Sequence, residues 1–107
     1  MPLTASVGSG GGIAGLTLRA WALVAANGTL LSGFNVSSVT KGSTGNYTAN
    51  LAQAMPDTTV IHEVKFPFSP QARVLNTITP AVGSIAYAMT ENAVFADVPH
   101  YLAIYGK

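Results

Sequence analysis

The sequence predicts an all-β domain, a small antiparallel β-sandwich (jelly-roll-like or Ig-like) of about seven or eight strands. Three observations predict it. Short runs rich in β-branched and aromatic residues recur, several alternating with period two. Turn signals built on Gly, Pro and Asn separate them every ten or so residues. No stretch carries apolar residues at helical spacing over three turns. The chain has 107 residues, the length of one domain with no room for a second core.

Residues 1–17 are small and Gly-rich, with Gly8, Gly10, Gly11, Gly12 and Gly15. Such a run cannot build a core and reads as a flexible or extended arm. Its Leu3, Val7, Ile13 and Leu16 suit docking on a neighbouring subunit. Residues 18–107 form the single β domain. Leu18 to Val24 is a first strand, ended by the turn pair Asn27-Gly28. Leu30-Leu31 leads to a break at Ser32-Gly33. Phe34, Val36 and Val39 lie in a Ser/Thr-rich run that suits a strand, and Lys41 to Asn46 is a loop. Tyr47 to Leu51 alternates, placing Tyr47, Ala49 and Leu51 on one face. Pro56-Asp57 turns a corner. Thr58 to Phe66 is β-branched and aromatic and ends at Pro67. Val74 to Ile78 is stopped by Pro80. Ile85 to Met89 alternates, and Tyr101 to Tyr105 is the last strand. Trp21, Phe34, Val36, Tyr47 and Leu51 are the expected core and fold-defining residues. Asn27-Gly28 and Thr44-Gly45-Asn46 are expected to supply the positive φ of tight turns.

Charged residues make up 8% of the chain, and its net charge is +1. The usual charged share is ~25%, so polarity here rests on Ser, Thr and Asn. Five scattered cations make a poor nucleic-acid face, so no nucleic-acid partner is expected. So little charge gives little repulsion between copies, and an oligomer is expected. With no cysteine there is neither a disulfide nor a thiolate site. The N-terminus lacks the basic and apolar regions of a signal peptide. The charge-free run from Ala20 to Thr40 is interrupted by Asn27, Gly28, Gly33 and Asn35, so no membrane insertion is expected.

Little in the chain suggests chemistry. Nothing in the spacing of Asp57, Glu63, Glu91 and Asp97 pairs two carboxylates for glycoside hydrolysis. His62 and Glu63 in one strand point to opposite faces. His62 and His100 lie far apart, which argues against a metal site. The glycine run lacks the Gly-Lys-Ser/Thr ending of a phosphate loop. No catalytic, cofactor or metal residue is assigned, and no enzyme is expected.

A block of words in the middle carries more. Arg19-Ala20-Trp21 is followed by Asn27-Gly28-Thr29, then by Phe34-Asn35-Val36-Ser37-Ser38-Val39-Thr40. Next come Gly42-Ser43-Thr44-Gly45-Asn46-Tyr47-Thr48-Ala49-Asn50-Leu51 and Ala54-Met55-Pro56-Asp57. This order resembles a β domain found at the C-terminal ends of tail fibres and related virion proteins of tailed bacteriophages and prophages. Tyr101 to Gly106 resembles that family's closing strand. The match spans Arg19 to Gly106 but is weak over residues 58–100. Asn46 stands where the family carries an acid.

The resemblance implies a structural virion protein, a tail-fibre or receptor-binding subunit, assembled in the bacterial host cytoplasm. It implies a homotrimer and other virion proteins as partners. Host contact, with a surface glycan or protein, would fall to loops. The residues expected there are Lys41, Ser43, Thr44, Asn46, Phe68, Gln71, Arg73, Asn92 and His100. A capsid decoration (cement) protein and a carbohydrate-binding module are the competing readings.

Overall fold

The computed structural model describes residues 15–66 and 73–106. Residues 1–14 of the expected arm, and Phe68 and Gln71, lie outside the described residues. The described residues form nine strands and no helix, so none is long and apolar enough to cross a membrane. The strands are β1 (Thr17–Val24), β2 (Leu30–Phe34), β3 (Val36–Lys41), β4 (Asn46–Leu51), β5 (Val60–Lys65), β6 (Arg73–Pro80), β7 (Ser84–Glu91), β8 (Val94–Phe95) and β9 (His100–Gly106). One sheet runs β2-β1-β9-β5; the other runs β3-β4-β7-β6, with β8 also paired to β7. All pairings are antiparallel. The expected sandwich is therefore the observed architecture.

Period-two alternation builds the core. β1 turns Ala20, Ala22 and Val24 inward and β9 turns Leu102 and Ile104 inward, while β4 contributes Tyr47 and Ala49. β7 adds Ile85, Tyr87 and Met89. Alanines on one side leave space for the tyrosines and Met89 on the other. Burying each large side chain contributes ~1.5–3 kcal/mol.

The chain changes sheet between β2 and β3 at one residue, Asn35, whose φ is +57°. Its side-chain amide donates to Arg19 O and Gln53 O, each at 3.0 Å. Its Oδ1 accepts from Gln53 N at 2.8 Å. Asparagine suits the position because it tolerates the left-handed region and carries both donor and acceptor.

Several expectations are corrected. The break at Ser32-Gly33 is absent, since β2 continues through it. Gly33 is there for a close approach: a Cβ would lie 2.8 Å from Trp21 O. Pro80 ends β6 from within, which an edge strand permits. Lys41 belongs to β3, and Thr90 and Glu91 extend β7. Trp21 is half-buried on the outer surface of its sheet, and Phe34 beside it is 50% exposed. The inward places in β1 belong to alanines and valine, so parity puts Trp21 outside. Tyr47 is in the core as expected, and Val36 and Leu51 pack against its edge.

Gly28 and Gly45 take positive φ, as expected. At Gly45, with φ +80°, a Cβ would lie 2.7 Å from Met89 O. Gly45 also donates to Asp97 Oδ1 at 2.7 Å and accepts from Met89 N at 2.8 Å. Gly45→Ala should therefore cost ~1–3 kcal/mol from backbone conformation alone. The Tm in a thermal melt should drop by roughly 10 °C or more. The β7–β8 hairpin turns on Asn92 and Ala93, both at positive φ. An alanine there costs about 1 kcal/mol, so Ala93→Gly should raise Tm by about 4–8 °C.

Candidate functional site

Three surfaces and one buried network are the places where this chain could recognise something. The network lies between the sheets. Tyr47 OH donates to Ala26 O at 2.7 Å and accepts from Val98 N at 3.2 Å. His100 Nδ1 lies 2.9 Å from Val98 O. A carbonyl only accepts, so Nδ1 carries the proton. Nε2 then accepts from Tyr87 OH at 2.8 Å. The rings of Tyr47 and Tyr87 stack at 5.6 Å, with His100 set edgewise against both.

This arrangement favours neutral groups. Burial lowers the His100 pKa below its ordinary 6.5, outweighing the bond to Val98 that acts to raise it. Burial, and then the Asp97 charge, push Tyr47 up to about 12. Burial also raises Tyr87, the neighbouring Tyr47 adding to the effect. Asp97 is held below its ordinary value first by the Gly45 N–H and then by Lys41.

The described residues among those expected to contact a partner are tied into the fold. Lys41 Nζ reaches Asp97 at 2.7 Å, bonds Gly42 O and Ser43 O, and stands 5.2 Å over the Tyr47 ring. Asn46 donates to Ser43 Oγ and Thr44 O. Arg73 pairs with Glu91 at 2.7 Å across β6 and β7. Asn92 is a hairpin corner. His100 is fully buried in β9 and faces the core, which corrects its placement in a contact loop. The structure does bring the 41–46 turn against the 96–98 segment, but these groups are spent on each other.

Asp57 Oδ1 accepts from Thr59 N in its own turn, while Glu63 and exposed His62 lie on the edge strand β5. Among the described residues no cluster of three or more His, Asp or Glu could hold a metal ion.

The sequence reading missed the surfaces themselves. The outer face of the β3-β4-β7-β6 sheet carries a cross-strand row Thr40–Thr48–Ala86–Thr79. Beside it runs Asn46–Ala88–Thr77. The small Ala86 on β7 leaves a shallow depression of about 250 Å³ there, rimmed by the hydroxyls of Thr40, Thr48, Thr77 and Thr79 and the Asn46 amide.

The opposite face is aromatic. Phe34–Trp21–Ala103–Glu63 form one row, and Ser32–Leu23–Tyr101–Lys65 the next. A hollow of about 310 Å³ lies among Trp21, Tyr101, Ala103, Glu63 and Lys65. Phe34, Ile61 and Tyr101 are all exposed. The third surface is a cleft beside Asn35, lined by Thr17, Arg19, Phe34, Gln53 and Met55 among others. A signal for the two faces was present in the period-two placement of Asn46, Thr48 and Asn50 in β4 and of Tyr101 and Tyr105 in β9.

Comparison of the chain with family models, with curated proteins and with solved structures finds no match.

His100 binds a proton less readily folded than unfolded. Its contribution to stability is complete above pH ~6.5 and is lost as pH falls below that value. Tm measured from pH 8 to pH 4.5 should therefore hold steady and then fall below about 6.5. In His100→Gln the curve should start lower and lose that step.

Proposed function

We propose that this chain is a structural virion protein of a tailed bacteriophage, a tail-fibre or receptor-binding subunit with no catalytic role. Its copies would assemble through the aromatic face, as a homotrimer on the resemblance drawn above, and leave the hydroxyl face outward. Other virion proteins and a host-surface glycan or protein are the remaining partners under this reading.

The observation that carries the proposal is the chemical division of the two outer sheet faces. Trp21, Leu23, Tyr101 and Ala103 make an apolar, partly aromatic centre, with Glu63 and Lys65 on one edge strand at its rim and Phe34 on the other edge strand, beside the cleft and outside the interface. An aromatic centre with a polar border is the anatomy of a protein–protein interface. Other copies of this chain are the favoured occupant, since a surface so poor in charge does little to keep copies apart. The opposite face offers neutral hydroxyls and amides, which suit hydrogen bonding to sugar hydroxyls.

The resembling words also occupy positions that specify a scaffold. Asn35 is the sheet switch, Gly45 the crowded turn, Tyr47 the core, and Asp57 caps its own turn. That distribution supports a shared framework and leaves specificity to the surface.

Light scattering should give a mass that is a multiple of the 11.0 kDa chain. Tyr101→Arg, which places charge at the centre of the aromatic face, should return the monomer with its circular dichroism unchanged. Labelled antibody should decorate tail tips in electron micrographs of intact particles, and purified protein should block adsorption to host cells. Decoration of heads, with binding to isolated capsids, would replace the adhesion role by a cementing one. A monomer that labels no particle would overturn the proposal.

A further inference from the structure

Arg19 stands at a register shift in β1, between Leu18 and Ala20. Its stem lies by Gly106, where an added Cβ would come within 3.5 Å of Arg19 Cγ. Lys41 and Arg73 pair with Asp97 and Glu91. Among the described residues the Arg19 guanidinium pairs with no carboxylate, and its buried Nε finds no acceptor. A buried charged donor without a partner is costly. Arg19 also lines the cleft beside the sheet switch, a cavity of about 360 Å³.

The other walls are chemically distinct. Phe34 is 50% exposed and presents an aromatic surface. Thr17 and Gln53 are exposed and bring a hydroxyl and an amide. The Asn35 amide also lines the cleft, but it is already committed to Arg19 O and to the Gln53 backbone. It therefore holds the walls and leaves recognition to the others.

We propose that this cleft binds the carboxylate-bearing sugar of an acidic glycan. The reading rests on the adhesion role proposed above and names the receptor chemistry. The guanidinium fork is built for a carboxylate, which takes two of its N–H donors together. The pyranose ring would lie on Phe34, as apolar ring faces lie on aromatic side chains in mostly apolar sites with few polar contacts. Thr17 and Gln53 would meet the ring hydroxyls. One cation, one aromatic surface and two neutral hydrogen-bonding groups match a hexuronic acid or a sialic acid better than a neutral sugar. A sulfate or phosphate polymer would call for more than one cation at the site.

The test is titration of the full chain with oligosaccharides of galacturonate and glucuronate, and with a sialyl trisaccharide. Each is run beside its neutral counterpart, in which the carboxyl is esterified or absent. A peptide with a free C-terminal carboxylate forms the remaining arm. At least one acidic sugar should bind tenfold or more tightly than its neutral counterpart. Its binding should shift the Arg19 Nε–H signal in ¹⁵N-labelled protein and weaken as salt rises.

Arg19→Gln and Phe34→Ala should each lower the affinity tenfold or more. Arg19→Lys, which keeps the charge without the fork, should restore only part of it. Gln53→Ala, in an exposed side chain, should weaken binding severalfold without altering the melt, so that a folding defect in Arg19→Gln cannot decide the result. Equal binding of neutral sugars, no binding of any acidic sugar, or preference for the peptide carboxylate would overturn the proposal. Particle labelling reads the parent proposal separately. A chain found on tail tips that ignores all the acidic sugars sinks this inference alone.

Discussion

At the β2–β3 corner a single residue carries the chain from one sheet to the other, and the neighbouring segments are arranged around it. Asn35 follows β2 directly and precedes β3 directly. No loop absorbs the change of direction; a single backbone at φ +57° makes it. Three side-chain hydrogen bonds fix that geometry from both sides, one to β1 and two to the segment after β4. The backbone carbonyl of Asn35 accepts a further bond from Ala52 N at 3.1 Å. Phe34 before the corner turns out beside Trp21, while Val36 after it turns in opposite Leu51. A left-handed residue anchored at three atoms can reverse facing in one step. Most other side chains would pay the steric cost of positive φ without supplying the bonds.

The second constraint is volume. The sheet with β1 presents alanines at the middle of the sandwich, and the other sheet presents Tyr47, Tyr87 and Met89. Large opposite small is how two layers interlock at native density. Bringing two phenols and an imidazole into that space requires every polar atom to find a partner, because an unmet one costs ~1–3 kcal/mol. The network meets the requirement with neutral donors and carbonyl acceptors. Val98 serves it twice, its N–H bonding Tyr47 and its carbonyl bonding His100. The segment between β8 and β9 is thus fastened to the core although it belongs to no strand.

Much of this was legible in the sequence, and the failures share a cause. Turn glycines and period-two runs announce strands because they act over a few residues, and Gly28, Gly45, Tyr47 and Ala49 were read correctly. Which face looks inward depends on the other sheet, and that information is not local. Trp21 was assigned to the core on size, yet the alanines flanking it hold the inner positions. His100 stands just before the Tyr101–Tyr105 strand that the sequence predicts, and so among the expected contact loops. Its burial follows from the pairing of β9 with β1, seventy-odd positions away in the chain. Asn35 showed no Asn-Gly signature, and its role appears only when Arg19 and Gln53 are brought to it. The cross-strand hydroxyl row escaped for the same reason, since it draws one residue from each of four strands.

The corner that switches the sheets is also what shapes the cleft. Asn35 grips the carbonyl of Arg19 on one side and both backbone groups of Gln53 on the other. Those two residues, one bearing a guanidinium and the other an amide, line the same cavity. The positions of the two walls are therefore not independent: one side chain spaces them. The shift in β1 register beside Arg19 belongs to the same corner, where the regular ladder gives way. A site on this scaffold would inherit its rigidity from a bond set that the fold needs anyway, with no added support. Fold and recognition would then be inseparable at Asn35, while at Gln53 and Phe34, both exposed, the surface chemistry can change and the sheet switch remain.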